Sequence, residues 1–168
     1  MREELTVASP DDMRALGRRL AAMLRPGDLV VLNGALGTGK TTLVQGIGAG
    51  LGVRGPVTSP TFVIARVHPS LTGGPALVHA DAYRLASPAE VDDLDLDASL
   101  ETSVTVVEWG GGLAEALAAD RLEVSIALAV PGAGLGGPGD APGGAGSDQE
   151  PRTVRLEGHG ARWTRRRP

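Results

Sequence analysis

Apolar residues recur at two periods along this chain, and the alternation of the two periods predicts an α/β fold. Met13, Leu16 and Leu20 follow each other at three- and four-residue spacing, which is typical of one buried helix face. Residues 28–32 instead form a nearly continuous apolar run, as in a strand that is buried on both faces. Because strand-like and helix-like segments follow in turn, we expect a mostly parallel sheet with helices packed on it.

The pattern predicts the following elements in more detail. Strands are expected at 3–7, 28–32, 76–85, 102–110, 121–130 and 152–158, with a further strand reached from a loop within 59–68. Helices are expected at 10–24, 41–51 and 113–119, and another begins at 87. We therefore predict a three-layer fold in which helices flank the central sheet and the last two strands form a C-terminal antiparallel hairpin.

The length of the chain and one segment rich in glycine and proline indicate the domain organisation. A chain of 168 residues is long enough for one packed domain, and we predict a single domain from 1 to 168. Residues 131–151 contain eight glycines and four prolines and show no apolar periodicity. Because this composition offers no face to bury, we predict a flexible insertion at the tip of the terminal hairpin.

A motif with defined chemistry lies between the predicted strand at 28–32 and the predicted helix at 41–51. Residues 34–41, GALGTGKT, fit the pattern G-x-x-x-x-G-K-[ST] at every fixed position, and we call them the glycine loop. In this pattern backbone N–H groups surround phosphate oxygens, the lysine neutralises them and the last hydroxyl binds Mg²⁺. The order strand, loop, helix predicts the fold of phosphate-loop nucleoside triphosphatases. The residues predicted to bind ATP or ADP are Gly34, Leu36, Gly37, Thr38, Gly39, Lys40, Thr41 and Thr42.

Two rare residue types narrow the choice of nucleotide. Lys40 is the only lysine beside fifteen arginines, which indicates that a compact ammonium is needed at this position of the glycine loop. Asn33 is the only asparagine, so the chain cannot contain an Asn-Lys-x-Asp motif that reads guanine. Adenine is therefore the expected base.

Acidic residues at the ends of two predicted strands are candidates for catalysis. A phosphate-loop enzyme needs a carboxylate near the loop to hold Mg²⁺ or to orient water. Glu108 and Asp81 each end a strand, and we predict both as catalytic, with Thr41 and Glu108 as metal ligands. Thr61 follows Ser-Pro between the loop helix and the next strand, where a hydroxyl could meet phosphate or Mg²⁺, and it is the third catalytic candidate. The alternatives are strand or turn capping.

Three other features are given structural interpretations. Trp109 follows Glu108 directly, and if the strand continues it faces away from the carboxylate, so we expect it in the core or an interface. The three histidines are far apart in sequence, which favours structural roles over metal binding. Residues 162–167 are rich in arginine and are expected to be a frayed tail, with RNA contact as the alternative.

Composition restricts the compartment and the partners. The formal charge of −4 gives no bulk attraction to nucleic acid or to an anionic membrane, so contact with RNA would be local or made through a partner. The sequence contains no cysteine and no long apolar run or leader segment. We therefore expect a cytoplasmic protein without a membrane partner.

Four segments together resemble one protein family. GALGTGKTT, SPTF, DAYRL and VEWG, in this order and near these spacings, are similar to the bacterial TsaE family of small ATPases. The resemblance covers roughly residues 9–130. It implies a role in making threonylcarbamoyladenosine in tRNA, ATP and Mg²⁺ as cofactors, and the TsaB and TsaD proteins as partners through which tRNA is reached indirectly. It also implies that Thr61, Asp81 and Glu108 belong to the active site.

Two other classes of function remain as alternatives. A small-molecule kinase of this fold would need an acceptor pocket and an arginine-bearing lid, and no arginine pair lies between Glu108 and the glycine-rich insertion. A nucleotide-gated binding module would bind nucleotide without turning it over, even with its partners present.

Overall fold

The computed structural model describes residues 1–60, 65–82, 101–109, 118–129 and 150–164. The strands are β1 (Arg2–Val7), β2 (Leu29–Asn33), β3 (Ala65–His68), β4 (Ala76–Asp81), β5 (Ser103–Glu108), β6 (Arg121–Leu128) and β7 (Arg152–His159). The helices are α1 (Pro10–Ala21), α2 (Lys40–Leu51) and a short α3 (Ala161–Thr164). The predicted strands are thus confirmed, with bounds that shift by a few residues.

The strands form one mixed sheet with a parallel centre. Their order is β1-β7-β6-β2-β5-β4-β3. The four central strands, β6, β2, β5 and β4, run parallel to one another, while β3, β7 and β1 each pair antiparallel with their neighbours. The α/β fold with a mostly parallel central sheet is therefore confirmed, and so is the C-terminal hairpin, in which Leu128 pairs with Arg152.

Helices α1 and α2 cover one face of the sheet and approach each other closely. Ser9 caps α1 by accepting a hydrogen bond from the backbone N–H of Asp12 at 3.1 Å, which is the start signal that the sequence contains. Where the helices cross, a Cβ added to Gly17 or Gly46 would overlap the backbone of the facing helix. The small residues therefore let leucine side chains of both helices, with Val44 of α2, pack onto the sheet as the main core.

Some predictions of element ends were wrong or lie outside the described residues. Helix α1 ends at Ala21 rather than at 24, and residues 118–120 are not helical although the predicted helix extended to 119. The helix expected from 87, most of the helix expected at 113–119 and most of the glycine-rich segment lie outside the described residues. Among the residues that the structure does describe, no helix is long and apolar enough to cross a membrane.

The expectation of a frayed C-terminal tail was wrong for residues 162–164. Trp163 is buried, and its carbonyl oxygen accepts a hydrogen bond from the N-terminal amine of Met1 at 3.0 Å. Arg162 donates to both carboxylate oxygens of Asp28, at 3.1 and 2.9 Å. Sequence composition missed this because the partners lie more than 130 positions away in the chain.

The terminal hairpin leads to a prediction about the glycine-rich segment. The backbone N–H of Ala129 donates to the carbonyl of Pro151 at 2.9 Å, so strand pairing already brings the two ends of the segment together. Deleting residues 132–149 leaves residues 130, 131 and 150 between them, a common hairpin length. We expect melting temperature and nucleotide affinity to stay nearly unchanged, as measured by calorimetry. A loss of several degrees would show instead that the deleted segment packs on the domain.

Candidate functional site

The glycine loop joins the central strand β2 to helix α2 at the carboxyl edge of the sheet. Gly34 leaves β2 where no side chain fits, because an added Cβ would lie 2.8 Å from Thr38 Oγ1 and against the carbonyl of Ile126. Gly39 has a φ of 104°, a conformation that favours glycine, and α2 begins at the next residue. The loop therefore lies at a helix N-terminus, where unpaired N–H groups and the helix dipole attract an anion.

Lys40, the first residue of α2, is held by the loop itself. Its Nζ donates to the carbonyl oxygens of Gly34 at 2.8 Å and Ala35 at 2.9 Å, and it lies 4.0 Å from the ring centroid of Trp109. Burial lowers the pKa of Lys40 from its ordinary value, while the negative charges of Glu108 and Asp81 act in the opposite direction. The ammonium is thus placed under the loop beside two carboxylates.

The two predicted acids lie side by side at the same edge of the sheet. Strands β4 and β5 are parallel, and Asp81 is the register partner of Glu108. Glu108 is only 3% exposed, and its Oε1 accepts a hydrogen bond from Thr41 Oγ1 at 3.3 Å. The structure therefore brings the hydroxyl that ends the glycine loop into contact with a carboxylate that lies 67 residues away in the chain.

His79 also contacts Glu108, and sequence reasoning missed it. Its Nε2 lies 2.8 Å from the same Oε1, and the imidazole is completely buried. In the tautomer that carries its proton on Nε2, His79 donates this hydrogen bond to the Glu108 carboxylate. The period of two along a strand puts His79 on the same face as Asp81, which is a signal that the sequence holds. Only the order of the strands shows that β5, which ends at Glu108, lies next to β4, which contains His79.

The interpretation of Trp109 as a residue facing away from the site was wrong. Strand β5 ends at Glu108, and Trp109 has a φ of 62°, so the alternation of a continuing strand does not apply. Its ring lies against the Lys40 ammonium and lines the same cavity as the carboxylates. The positive φ turns the chain at this point and places neighbouring side chains on one side.

A cavity of about 600 Å³ opens above the glycine loop and collects most of the predicted residues. From the loop and the first turn of α2 it is lined by Leu36, Gly37, Gly39, Lys40, Thr41 and Thr42. Asp81, Glu108 and Trp109 line it from β4, β5 and the turn after β5, while Ser9, Pro10, Met13 and Arg152 line it from the start of α1 and from β7. Thr38 instead donates to the Ala35 carbonyl at 2.9 Å within the loop.

Thr61, the third catalytic candidate, lies outside the described residues. Ser59, two residues earlier, lines the cavity, so the chain segment that leads to Thr61 passes the site. Arg152 is a second residue that sequence reasoning missed. No motif marks it, because it follows the glycine-rich segment and lies more than 100 residues beyond the glycine loop in the chain.

The donor set suits a hard divalent cation. Thr41 offers a hydroxyl and Glu108 a carboxylate within hydrogen-bonding distance of each other, and Asp81 offers a second carboxylate beside them. Magnesium prefers such oxygen donors and is commonly held by one or two protein groups together with phosphate oxygens. These residues could therefore hold Mg²⁺ against a bound phosphate.

The fold and the cavity together define a class of protein: α/β domains with a glycine loop after a central parallel strand and acids on the adjacent strands. Comparison with known proteins narrows this class to one family. Residues 7–130 match the family model described as threonylcarbamoyl adenosine biosynthesis protein TsaE. The chain belongs to the TsaE family, and the resemblance seen in the sequence is confirmed.

Individual relatives agree with this assignment. A tRNA threonylcarbamoyladenosine biosynthesis protein TsaE of Streptomyces coelicolor is 59% identical over 152 residues, which is 90% of this chain and 93% of the relative. A protein of the same name from Bacillus subtilis is 38% identical over 70% of this chain and 73% of its own. A crystal structure of Bacillus subtilis YdiB superposes with a TM-score of 0.70 at 26% identity, covering 97% of this chain and 89% of the other.

The contact between His79 and Glu108 leads to a prediction about stability. His79→Leu removes a hydrogen bond from a buried carboxylate, and we expect the free energy of unfolding to fall by about 1–3 kcal/mol. His79→Gln, which keeps an N–H group, should lose less. Urea unfolding of both variants, repeated with Glu108→Gln in each background, measures the coupling. Purely additive effects of the two substitutions would contradict a hydrogen bond between these side chains.

Proposed function

We propose that this protein is a Mg²⁺-dependent ATPase that supports threonylcarbamoyladenosine modification of tRNA. The observation that carries the proposal is the contact of Thr41 with Glu108, at 3.3 Å. It joins the last hydroxyl of the glycine loop to an acid on the adjacent parallel strand, which is how phosphate-loop ATPases arrange their metal ligands. The proposed work on tRNA would place the protein in the cytoplasm.

Each residue has a defined part in this proposal. Lys40 exchanges the carbonyls of Gly34 and Ala35 for phosphate oxygens when nucleotide binds, because an ammonium gains more from an anion than from a neutral acceptor. Thr41 and Glu108 hold Mg²⁺, which when bound neutralises charge on the terminal phosphates. Asp81 lies beside them and is proposed to orient the attacking water, with Thr61 as a further candidate. His79 fixes the Glu108 carboxylate.

The cavity wall suits an aromatic base, and the composition of the chain favours adenine over guanine. Pro10, Met13 and Leu36 give the cavity an apolar surface that suits an aromatic base. The only asparagine, Asn33, is the last residue of β2 and belongs to the sheet. The chain therefore has no other asparagine that could form the Asn-Lys-x-Asp motif that recognises guanine.

This choice of base is tested with the diphosphates. We expect ADP to bind more tightly than GDP, and Mg²⁺ to strengthen the binding of ADP. Titration calorimetry of both nucleotides, with Mg²⁺ and then with EDTA, measures the two effects. Tighter binding of GDP than of ADP would overturn the adenine assignment.

The proposed partners are the TsaB and TsaD proteins. The relatives from Streptomyces coelicolor and Bacillus subtilis carry names from threonylcarbamoyladenosine biosynthesis. The net charge of −4 provides no attraction to RNA, so we propose that tRNA is reached through the partners. In this scheme turnover is slow in the isolated protein, rises with the partners and resets their complex between rounds of modification.

Two substitutions separate nucleotide binding from its use. Lys40→Ala removes the cation under the loop and should weaken binding of ATP and abolish activity. Glu108→Ala should retain much of the binding and lower turnover by about 10²–10⁴-fold, a loss of the size that one positioned catalytic group contributes. Glu123→Ala, on β6 outside the cavity, is the matched loss of a carboxylate and should leave both quantities unchanged.

The measurements are calorimetry for binding and steady-state ATP hydrolysis with and without TsaB and TsaD, together with a count of modified adenosines per protein. If Glu108→Ala still supports many rounds of modification, hydrolysis does not reset the complex. If wild-type protein binds ATP without turnover even beside its partners, it is a nucleotide-gated binding module. Transfer of phosphate to a metabolite would instead identify a kinase.

A further inference from the structure

Arg152 lies in the candidate site although it is remote from every motif of the sequence. It is the first residue of β7 and pairs with Leu128 of β6 and with Val7 of β1. It is only 7% exposed, and it lines the cavity above the glycine loop. It also lies beyond residues 7–130, which are the part of the chain that matches the family model.

The guanidinium of Arg152 reaches the glycine loop directly. One terminal nitrogen lies 3.5 Å from the carbonyl oxygen of Gly37, and the other donates to the carbonyl of Glu150. Gly37 lies in the middle of the loop, whose backbone surrounds the α- and β-phosphates in nucleotide-binding proteins of this pattern. A phosphate bound by the loop would therefore lie close to the guanidinium.

The order of the strands indicates which part of the nucleotide would lie beside Arg152. Strand β2 and the loop are central, β5 and β4 with the two acids lie to one side, and β6 and β7 with Arg152 lie to the other. In the proposed function Glu108 would hold the Mg²⁺ that serves the terminal phosphates, so these phosphates would lie toward the acids. The nucleoside end then extends across the loop toward Arg152 and the apolar wall formed by Pro10 and Met13.

We propose that Arg152 is a nucleotide-binding residue that donates hydrogen bonds to the oxygens of a phosphate present in both ADP and ATP, on the nucleoside side of the metal. This inference rests on the proposed function, because it requires an adenine nucleotide on the loop. The planar fork of arginine suits two oxygens of one phosphate, which a lysine cannot match. The residue thus complements Lys40, which is placed between it and the acids.

The experiment compares two substitutions at Arg152 with a control on the same strand. Arg152→Gln removes the charge, and Arg152→Lys keeps the charge without the fork. Arg155→Gln is the matched control, because Arg155 lies on β7 outside the cavity and pairs with Glu4 at 3.0 Å. Calorimetry gives the dissociation constants of ADP and ATP with Mg²⁺, and thermal unfolding without nucleotide gives stability.

We expect Arg152→Gln to weaken the binding of ADP and ATP alike by roughly 10- to 100-fold, as for loss of a charge-assisted hydrogen bond. Arg152→Lys should lie between this variant and wild type, and Arg155→Gln should match wild type. Weaker binding of ATP alone would place the arginine at the terminal phosphate and overturn the assignment. Unchanged affinities in folded Arg152→Gln and Arg152→Lys proteins would overturn it also, whatever their melting temperatures.

The same measurements distinguish this inference from the proposed function. If wild-type protein binds neither nucleotide, the proposed function fails, and the role of Arg152 fails with it. If wild type binds and Lys40→Ala does not, while Arg152→Gln binds as wild type does, the proposed function stands and only the role of Arg152 is wrong.

Discussion

Glu108 is almost fully buried at the end of β5, and its Oε1 accepts hydrogen bonds from Thr41 and His79. A carboxylate that is removed from water is stable only when such donors compensate for its lost hydration. The two donors come from different elements, α2 and β4, so the contact ties the glycine loop to the neighbouring strands. The geometry of the cavity depends on this one carboxylate.

The arrangement around Glu108 explains why the parallel centre of the sheet matters for function. Because parallel strands end at the same edge of the sheet, the glycine loop after β2 and the last residues of β4 and β5 lie together at that edge. The antiparallel strand β7 contributes its first residue, Arg152, to the same edge because its direction is reversed. The cavity thus receives its acids from strand ends and its second cation from a strand start.

Lys40 and Trp109 show how burial and backbone conformation act together in the site. The ammonium lies over the indole ring at 4.0 Å while it donates to two loop carbonyls, contacts that keep a partly desolvated cation in place. Trp109 reaches this position only because the chain turns with a positive φ directly after β5. A strand that continued by one more residue would place the ring on the opposite face.

Local patterns in the sequence determined the elements and the chemistry of the glycine loop, because helix periodicity, the Ser9 cap and the spacing of Gly34, Gly39 and Lys40 depend only on near neighbours in the chain. The family followed from short motifs for the same reason. Tertiary structure alone decided that His79 contacts Glu108, that Arg152 and Trp109 line the cavity and that Trp163 is buried. These outcomes depend on which strands become neighbours and where a strand stops, and both are set by packing between residues that are distant in sequence.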